Sequence, residues 1–387
     1  MDDPNTMRKI CILCAQHVPD DVRVTHRLGR SFREAGFAVT WVGPERRRTG
    51  DDYGIRFVYY PAARSRIGRL THSARLLRAA SSLGPQDVYF AVEPDSAAVA
   101  LKLARRNRGR AVFDIHEIYH KEMLTRWMPR PFCGVLGFAV KRHISNICSR
   151  CDLVVGVAQS RLDPYTNAKT PRMVVRHCVP LDFAPSPGPG PFHRDGNPLT
   201  ILHGKATMNR GTGEMLHALA VLKHKHSIPC RVIMFQGRAD MANYAQTDVG
   251  RLAKGLAVVE EVILRPEIPY REMFPLMHSC DVGVIAYGRQ FGQQCMPNRT
   301  FEYMAAGVPV IAPSYADEVS GIIQQYECGL LCDTEDPGDL AGTLRRLWED
   351  KGSARRMGAN GRAAFERELN WEQESRPLLD WIGAQHE

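Results

Sequence analysis

The sequence predicts an α/β protein made of two tandem units, each a parallel, doubly wound sheet. Three observations predict it. Short apolar runs alternate with amphipathic helical stretches along the chain. A proline- and glycine-rich break interrupts the alternation at residues 184–198. The length, 387 residues, exceeds what one ordinary core encloses and suits two.

In the first half the strands read RKICILC, FAVTWV, IRFVYY, DVYFAV, AVFDI, DLVVGV and MVVRH, with helices between most of them. The first helix spans residues 22–35, and Gly36 stops it. PFCGVLGFAV, residues 131–140, is too short to span a bilayer and reads as one face of a buried helix. The break, APSPGPGPFHRDGNP, cannot be a helix or a central strand and is taken as the inter-domain linker. The second half repeats the scheme with LTILHG, CRVIMFQG, EEVILRP, DVGVIAY, VPVIA and GLLC. Two helices close the chain, one at residues 354–368 and one starting near Trp371. The expected domains are therefore 1–183 and 199–370, with 184–198 as linker and 371–387 as a final helix crossing back to the first domain. Doubly wound units bind ligands at the carboxyl ends of their strands, which places the expected site in a cleft where those ends face each other.

Composition excludes several classes. No apolar run approaches a membrane span, and the opening MDDPNTMRKI is not a secretory signal, so a cytoplasmic protein is expected. Eleven scattered cysteines read as reduced, buried thiols rather than a disulfide framework. Cys11 and Cys14 point to opposite faces of a strand, and Cys148 and Cys151 lack a second ligand pair, so no metal is expected. The net charge of +9 suggests an anionic partner. No basic-aromatic platform, zinc-finger spacing or helix-turn-helix points to nucleic acid. No GxGxxG follows the first strand, which weakens a dinucleotide reading.

The chemistry concentrates in the second half. HGKATMNRG sets a glycine turn, at Gly204, after a strand and Arg210 at a helix mouth, where unpaired N–H groups suit phosphate. Lys205 and Arg210 add full charges; a plain strand–turn–helix connection is the alternative. Then MPNRTFEYMAAGVPVI, residues 296–311, opens a helix at Pro297, sets Glu302 in an apolar stretch, and ends at Gly307 before Pro309. A glutamate so placed needs donors. The vicinal hydroxyls of a ribose would supply two, and Arg299 at helical spacing is the structural alternative.

This combination resembles the group 1 (family 4) retaining glycosyltransferases of the GT-B fold, over nearly the whole chain, including the terminal pair Asn370-Trp371. The resemblance implies that Glu302 binds the donor ribose and that Lys205 and Arg210 bind its diphosphate. It further implies that backbone near Met296, Pro297 and Asn298, with Arg299, meets the donor, and that Ile268 in RPEIP lies by the base. The sequence departs from the usual pattern in one place: Gln294 stands where many members carry a first glutamate, so that residue's role in sugar choice does not transfer.

In the first half, His116 in VFDIHEIYH follows a strand directly. The resemblance implies that it contacts the donor sugar or the acceptor, with Asp114 orienting its loop and Arg23 matching the D-x-R start of the first helix. The strand-end loops also differ in charge. Those of the second half carry Lys205, Arg210, Arg238, Arg265 and Arg289; those of the first carry Asp20, Asp21, Glu93, Asp95, Glu117 and Glu122. The basic set suits a diphosphate. The acidic set suits a cationic acceptor, such as a 2-deoxystreptamine aminoglycoside.

The expected activity is metal-independent, retaining transfer of a hexose or aminohexose from a nucleotide sugar, with uridine diphosphate as the expected carrier and no cofactor. His116, Lys205 and Arg210 carry the catalytic assignments, with Lys205 and Arg210 stabilising the departing phosphate. Two other readings stay open. One is a membrane-bound enzyme acting on a lipid, from a helix carrying Arg64, Arg66, Arg69, Arg75 and Arg78 beside Leu70, Leu76 and Leu77. The other is a non-catalytic nucleotide-sugar sensor.

Overall fold

The computed structural model describes residues 7–45, 52–62, 71–120, 133–184, 198–237, 241–293 and 295–384. The expected strands all form. The first sheet has 7 strands in the order β3-β2-β1-β4-β5-β6-β7. They are β1 (Lys9–Leu13), β2 (Ala38–Pro44), β3 (Arg56–Tyr60), β4 (Val88–Ala91), β5 (Arg110–Ile115), β6 (Leu153–Gly156) and β7 (Arg172–Val174). The second has 6 strands in the order β10-β9-β8-β11-β12-β13. These are β8 (Leu199–Lys205), β9 (Cys230–Gln236), β10 (Val262–Pro266), β11 (Val282–Val284), β12 (Val310–Pro313) and β13 (Gly329–Cys332). Every pairing is parallel. Central strands such as β4, β6 and β8 are buried almost throughout because helices cover both faces, whereas the edge strands β3 and β10 are mostly half-buried or exposed. Each sheet has its own core, one around Leu13, Tyr89 and Phe113, the other around Ile201, Met234 and Leu344.

The chain divides into a first unit, residues 1–176 with 374–387, and a second, residues 177–373. The boundary precedes the expected one at 183, and a local cause is visible. Val179 bridges Asn370, and the Trp371 N–H donates to the Val179 carbonyl at 2.9 Å, so residues 177–184 are tied into the second unit. Most of the expected linker, 185–197, lies outside the described residues. Asn370 acts twice in this corner. Its amide donates to the Phe365 carbonyl at 2.9 Å, and its side-chain oxygen accepts the Gln373 N–H at 3.0 Å, capping the terminal helix Trp371–Gly383.

That helix enters the first unit at Glu374. Glu374 pairs with Arg176 at 2.7 Å, while Arg8 and Arg110 donate to the carbonyls of Gly383 and Trp381 at the helix end. The Arg110 guanidinium also lies 4.5 Å from the Trp381 ring.

The apolar run at 131–140 is corrected. It opens the helix Cys133–Cys148, yet Phe138 is 70% exposed and Leu136 39%. The buried stripe is Gly137, Ile144, Ile147 and Cys148, with Val140 half-buried; Leu136 and Phe138 fall beside it. Of the arginine-rich helix only His72–Ser81 is described, which leaves Arg64, Arg66, Arg69 and Leu70 outside. Within it Leu76 is fully buried in the core, and Arg75 donates to the Pro61 carbonyl. The ten described cysteines are free, and nine of them are buried.

Candidate active site

In the second unit the carboxyl ends of the strands gather most of the residues named from the sequence. β8 ends on Gly204 and Lys205, and Gly204 holds φ +116°, which a side chain would strain. A short turn, Met208–Arg210, leads to Gly211 at φ +76° and the helix Thr212–Ala220. A Cβ on Gly211 would lie 1.6 Å from the Ala286 carbonyl oxygen, so only glycine lets this helix start against the end of β11. Arg210 lies over the Tyr287 ring at 5.2 Å. Lys205 pairs with Glu267 at 2.8 Å, joining the loop after β8 to the loop after β10 that carries half-buried Ile268.

After β11 the helix Asn298–Ala305 begins behind buried Met296 and Pro297. Pro297 has no N–H, so the amides this turn can offer a ligand are those of Asn298 and Arg299. Tyr303 fixes the helix, its hydroxyl donating to the Leu202 carbonyl at 3.0 Å and its ring covering Gly283, where a Cβ would meet it at 2.4 Å. Gly307, at φ +69°, ends the helix as expected. Gly358 and Gly361 let the helix Lys351–Arg367 pack closely on Gly307 and Met304.

Glu302 is 5% exposed and faces Arg299 at 3.5 Å, too far for a good hydrogen bond. Among the described residues no other group donates to it. Arg299 is nearly buried, passes within 4.0 Å of where a Gly204 Cβ would sit, and leaves Nη1 without a partner in the described structure. Its charge and burial hold His203 on β8 neutral: burial first, then Arg299, lower that imidazole to about 4.

The expected basic set is smaller than the sequence suggests. Arg289 is neutralised by Asp333 and Glu335 and lies over Tyr315, because the loop after β13 reaches it. Arg238 and Gln294 lie outside the described residues.

In the first unit His116 follows β5, and its Nε2 meets Asp114 Oδ2 at 2.7 Å. Arg23 clamps the same carboxylate with two bonds, Nε to Oδ2 at 2.8 Å and Nη2 to Oδ1 at 2.9 Å, and donates to the Val175 carbonyl. Burial opposes the Asp114 charge, but Arg23 and His116 hold its carboxyl well below the usual range.

Two members of the acidic set are corrected. Glu93 is 5% exposed and accepts from the amides of Ala15, Gln16 and His17 at 2.8–2.9 Å, so it does not face a ligand. Asp21 accepts the amides of Arg23 and Val24 and starts the first helix. Asp20 and Glu117 are half-buried at the same end and Asp95 is exposed; Glu122 lies outside the described residues.

Comparison with known proteins follows this geometry. Residues 198–350 match the family described as "Glycosyl transferases group 1", and residues 22–182 match "Glycosyltransferase Family 4". The chain is of the GT-B, group 1 glycosyltransferase class.

Two curated relatives, both D-inositol 3-phosphate glycosyltransferases, come from Xylanimonas cellulosilytica and a Nocardioides species. The first is 25% identical over 48% of this chain and 42% of its own, the second 33% identical over 26% and 20%. The chain thus spans less than half the length of these relatives. Among solved structures, sucrose-phosphate synthase from Thermosynechococcus elongatus matches with TM-score 0.76 at 15% identity, covering 97% of this chain and 98% of that one. HepE from Anabaena, solved with UDP and glucose, matches with TM-score 0.71 at 15% identity, covering 98% and 100%. At these identities the likeness is one of fold.

Within this group 1 framework one residue escaped sequence reasoning. His17 follows β1; its Nδ1 meets Glu93 Oε1 at 2.5 Å and its ring meets His116 edge-to-face at 5.1 Å. Burial opposes its charge, but Glu93, with Asp21 and Asp114 behind it, raises it to about 9. The available signal was a histidine at the mouth of the first strand, just ahead of D-D-x-R.

Proposed function

We propose that the protein transfers a hexose or aminohexose from a nucleotide-diphosphate sugar, with UDP as leaving group, to a small polyhydroxylated acceptor with retention at the anomeric carbon. The observation that carries this is Glu302, a buried carboxylate with one distant partner at the strand ends of the second unit. Ribose hydroxyls supply the donors it lacks. Arg210, Lys205 and the first-turn amides beside Arg299 take the diphosphate, and Ile268 lies by the base. As the anomeric C–O bond breaks, charge grows on the leaving phosphate and the two cations stabilise it. The acceptor hydroxyl attacks from the face the phosphate leaves, and the phosphate accepts its proton, so no metal or further base is required. HepE, a neighbour in fold, was solved with UDP and glucose, which supports a uridine carrier.

For the acceptor we place a cyclitol at the first unit, with His116 contacting it. The curated relatives are named for an inositol phosphate, and 2-deoxystreptamine aminoglycosides are cyclitols too. With Glu93 and Asp21 committed internally, the described acidic residues remaining for a cationic aminocyclitol at this end are Asp20, Asp95 and Glu117. Calorimetry with UDP should give a dissociation constant at least about tenfold weaker for Glu302→Ala; undiminished affinity removes the ribose assignment. Mass spectrometry of reactions pairing UDP-sugars with inositol phosphate and with an aminoglycoside pseudodisaccharide identifies the acceptor, and no transfer to either discards the cyclitol.

A lipid acceptor is a second reading, favoured by exposed Leu136 and Phe138 beside exposed Lys141 and Arg142 on one helix. Absence of co-sedimentation with anionic vesicles would dismiss it.

A further inference from the structure

The chain reverses direction across the first sheet between β1 and β4, the position where doubly wound sheets open a crevice. After β1 the amides of Ala15, Gln16 and His17 converge in the manner that receives an anion. Here Glu93, at the end of β4, fills that turn. Ser96 donates to the same carboxylate at 3.0 Å and caps the helix Pro94–Asn107 with it. The turn is thereby closed to a phosphate, and the carboxylate that closes it also anchors His17 through Nδ1.

Anchoring Nδ1 leaves Nε2. The His17 side chain stays 25% exposed, and no described residue takes that nitrogen. His116 is anchored the opposite way, through Nε2 on Asp114, which leaves its Nδ1. Two imidazoles thus stand edge-to-face, each with one nitrogen on a buried carboxylate and one uncommitted.

We propose that His17 is a second ligand-contacting residue of the first unit, donating from Nε2 to an oxygen of the sugar or cyclitol bound beside His116, with Glu93 as its positioning residue. This rests on the transferase reading above. The groups facing His17 are Glu93 from the β4 end, Asp21 from farther along the same loop, and Asp114 and His116 from the β5 end, with Arg23 engaged on Asp114. The carboxylates outweigh burial and keep the ring protonated at neutral pH, so Nε2 can only donate.

His17→Asn keeps an amide nitrogen near the place of Nδ1, preserving the Glu93 contact, and removes the outward donor. His17→Gln carries its amide nitrogen toward the place of Nε2. The kcat/KM for acceptor falls about ten- to one-hundredfold in His17→Asn and less in His17→Gln, with UDP affinity unchanged in both. In the wild type kcat/KM stays level through neutral pH and falls above about 9 as the imidazolium deprotonates. In Glu93→Gln that fall moves down toward 6.5, and the NMR titration of the His17 ring moves with it. Wild-type kcat/KM in His17→Asn, or a His17 ring titrating near 6.5 in the native protein, overturns the contact alone. A wild type that binds UDP yet transfers to no acceptor overturns the transferase reading and this contact together.

Discussion

Each unit holds a glutamate near the carboxyl end of its sheet, and both are 5% exposed. They differ in company. Glu93 receives three amides, an imidazole and a hydroxyl; Glu302 has one guanidinium at 3.5 Å. Burial therefore does not tell the two carboxylates apart. The acceptor capacity left over does, since Glu302 keeps lone pairs that a ligand's donors could use.

The largest way to break this contrast is at the anchor of the first unit. Arg23→Met takes the bidentate guanidinium from buried Asp114 and leaves it His116 alone, and should cost about 3–5 kcal/mol in urea unfolding. UDP affinity, which the proposed donor site assigns to the second unit, should not move; a coupled loss would show that the two glutamate sites are not independent. Next comes the direct exchange. Glu302→Gln should weaken UDP about ten- to one-hundredfold by calorimetry with little change in melting temperature. Glu93→Gln should do the reverse, and equal effects on both readouts would erase the distinction.

Gly211→Ala should cost about 1–3 kcal/mol from backbone strain alone and should weaken UDP, since the helix Thr212–Ala220 cannot then start against Ala286.

The smallest effect is in pH. Burial would raise the Glu93 carboxyl, but His17 and the amides lower it from 4.5 to about 2, so its stabilisation is present above 4.5 and is lost as pH falls toward 2. His17 is raised from 6.5 to about 9, so its share is present below 6.5 and is lost as pH rises toward 9. The pair stabilises the first unit most between about pH 4.5 and 6.5. Unfolding free energies measured across pH should show that maximum in the wild type and flatten in Glu93→Gln.

The comparison also marks what the sequence made legible. Every strand was, because a sheet covered on both faces writes itself as apolar runs separated by helical periodicity. The helix bearing Glu302 was legible too, since its proline entry and glycine exit are local. Glu93 was misread as a surface acid because its partners stand 76–78 residues earlier, in the loop after a strand that the topology alone sets beside β4. Arg289 was misread for the same reason, its neutralising acids lying 44 and 46 residues on. Charge in a loop is written locally; what cancels it is not.

The Arg176–Glu374 pair and the arginines on the terminal helix have a consequence for synthesis. The second unit is one unbroken stretch, 177–373, whereas the first needs residues from both sides of it. On the ribosome the later-encoded unit has all its parts first. The earlier one lacks the last part of its fold until the segment beyond Gln373, most of the helix Trp371–Gly383, emerges.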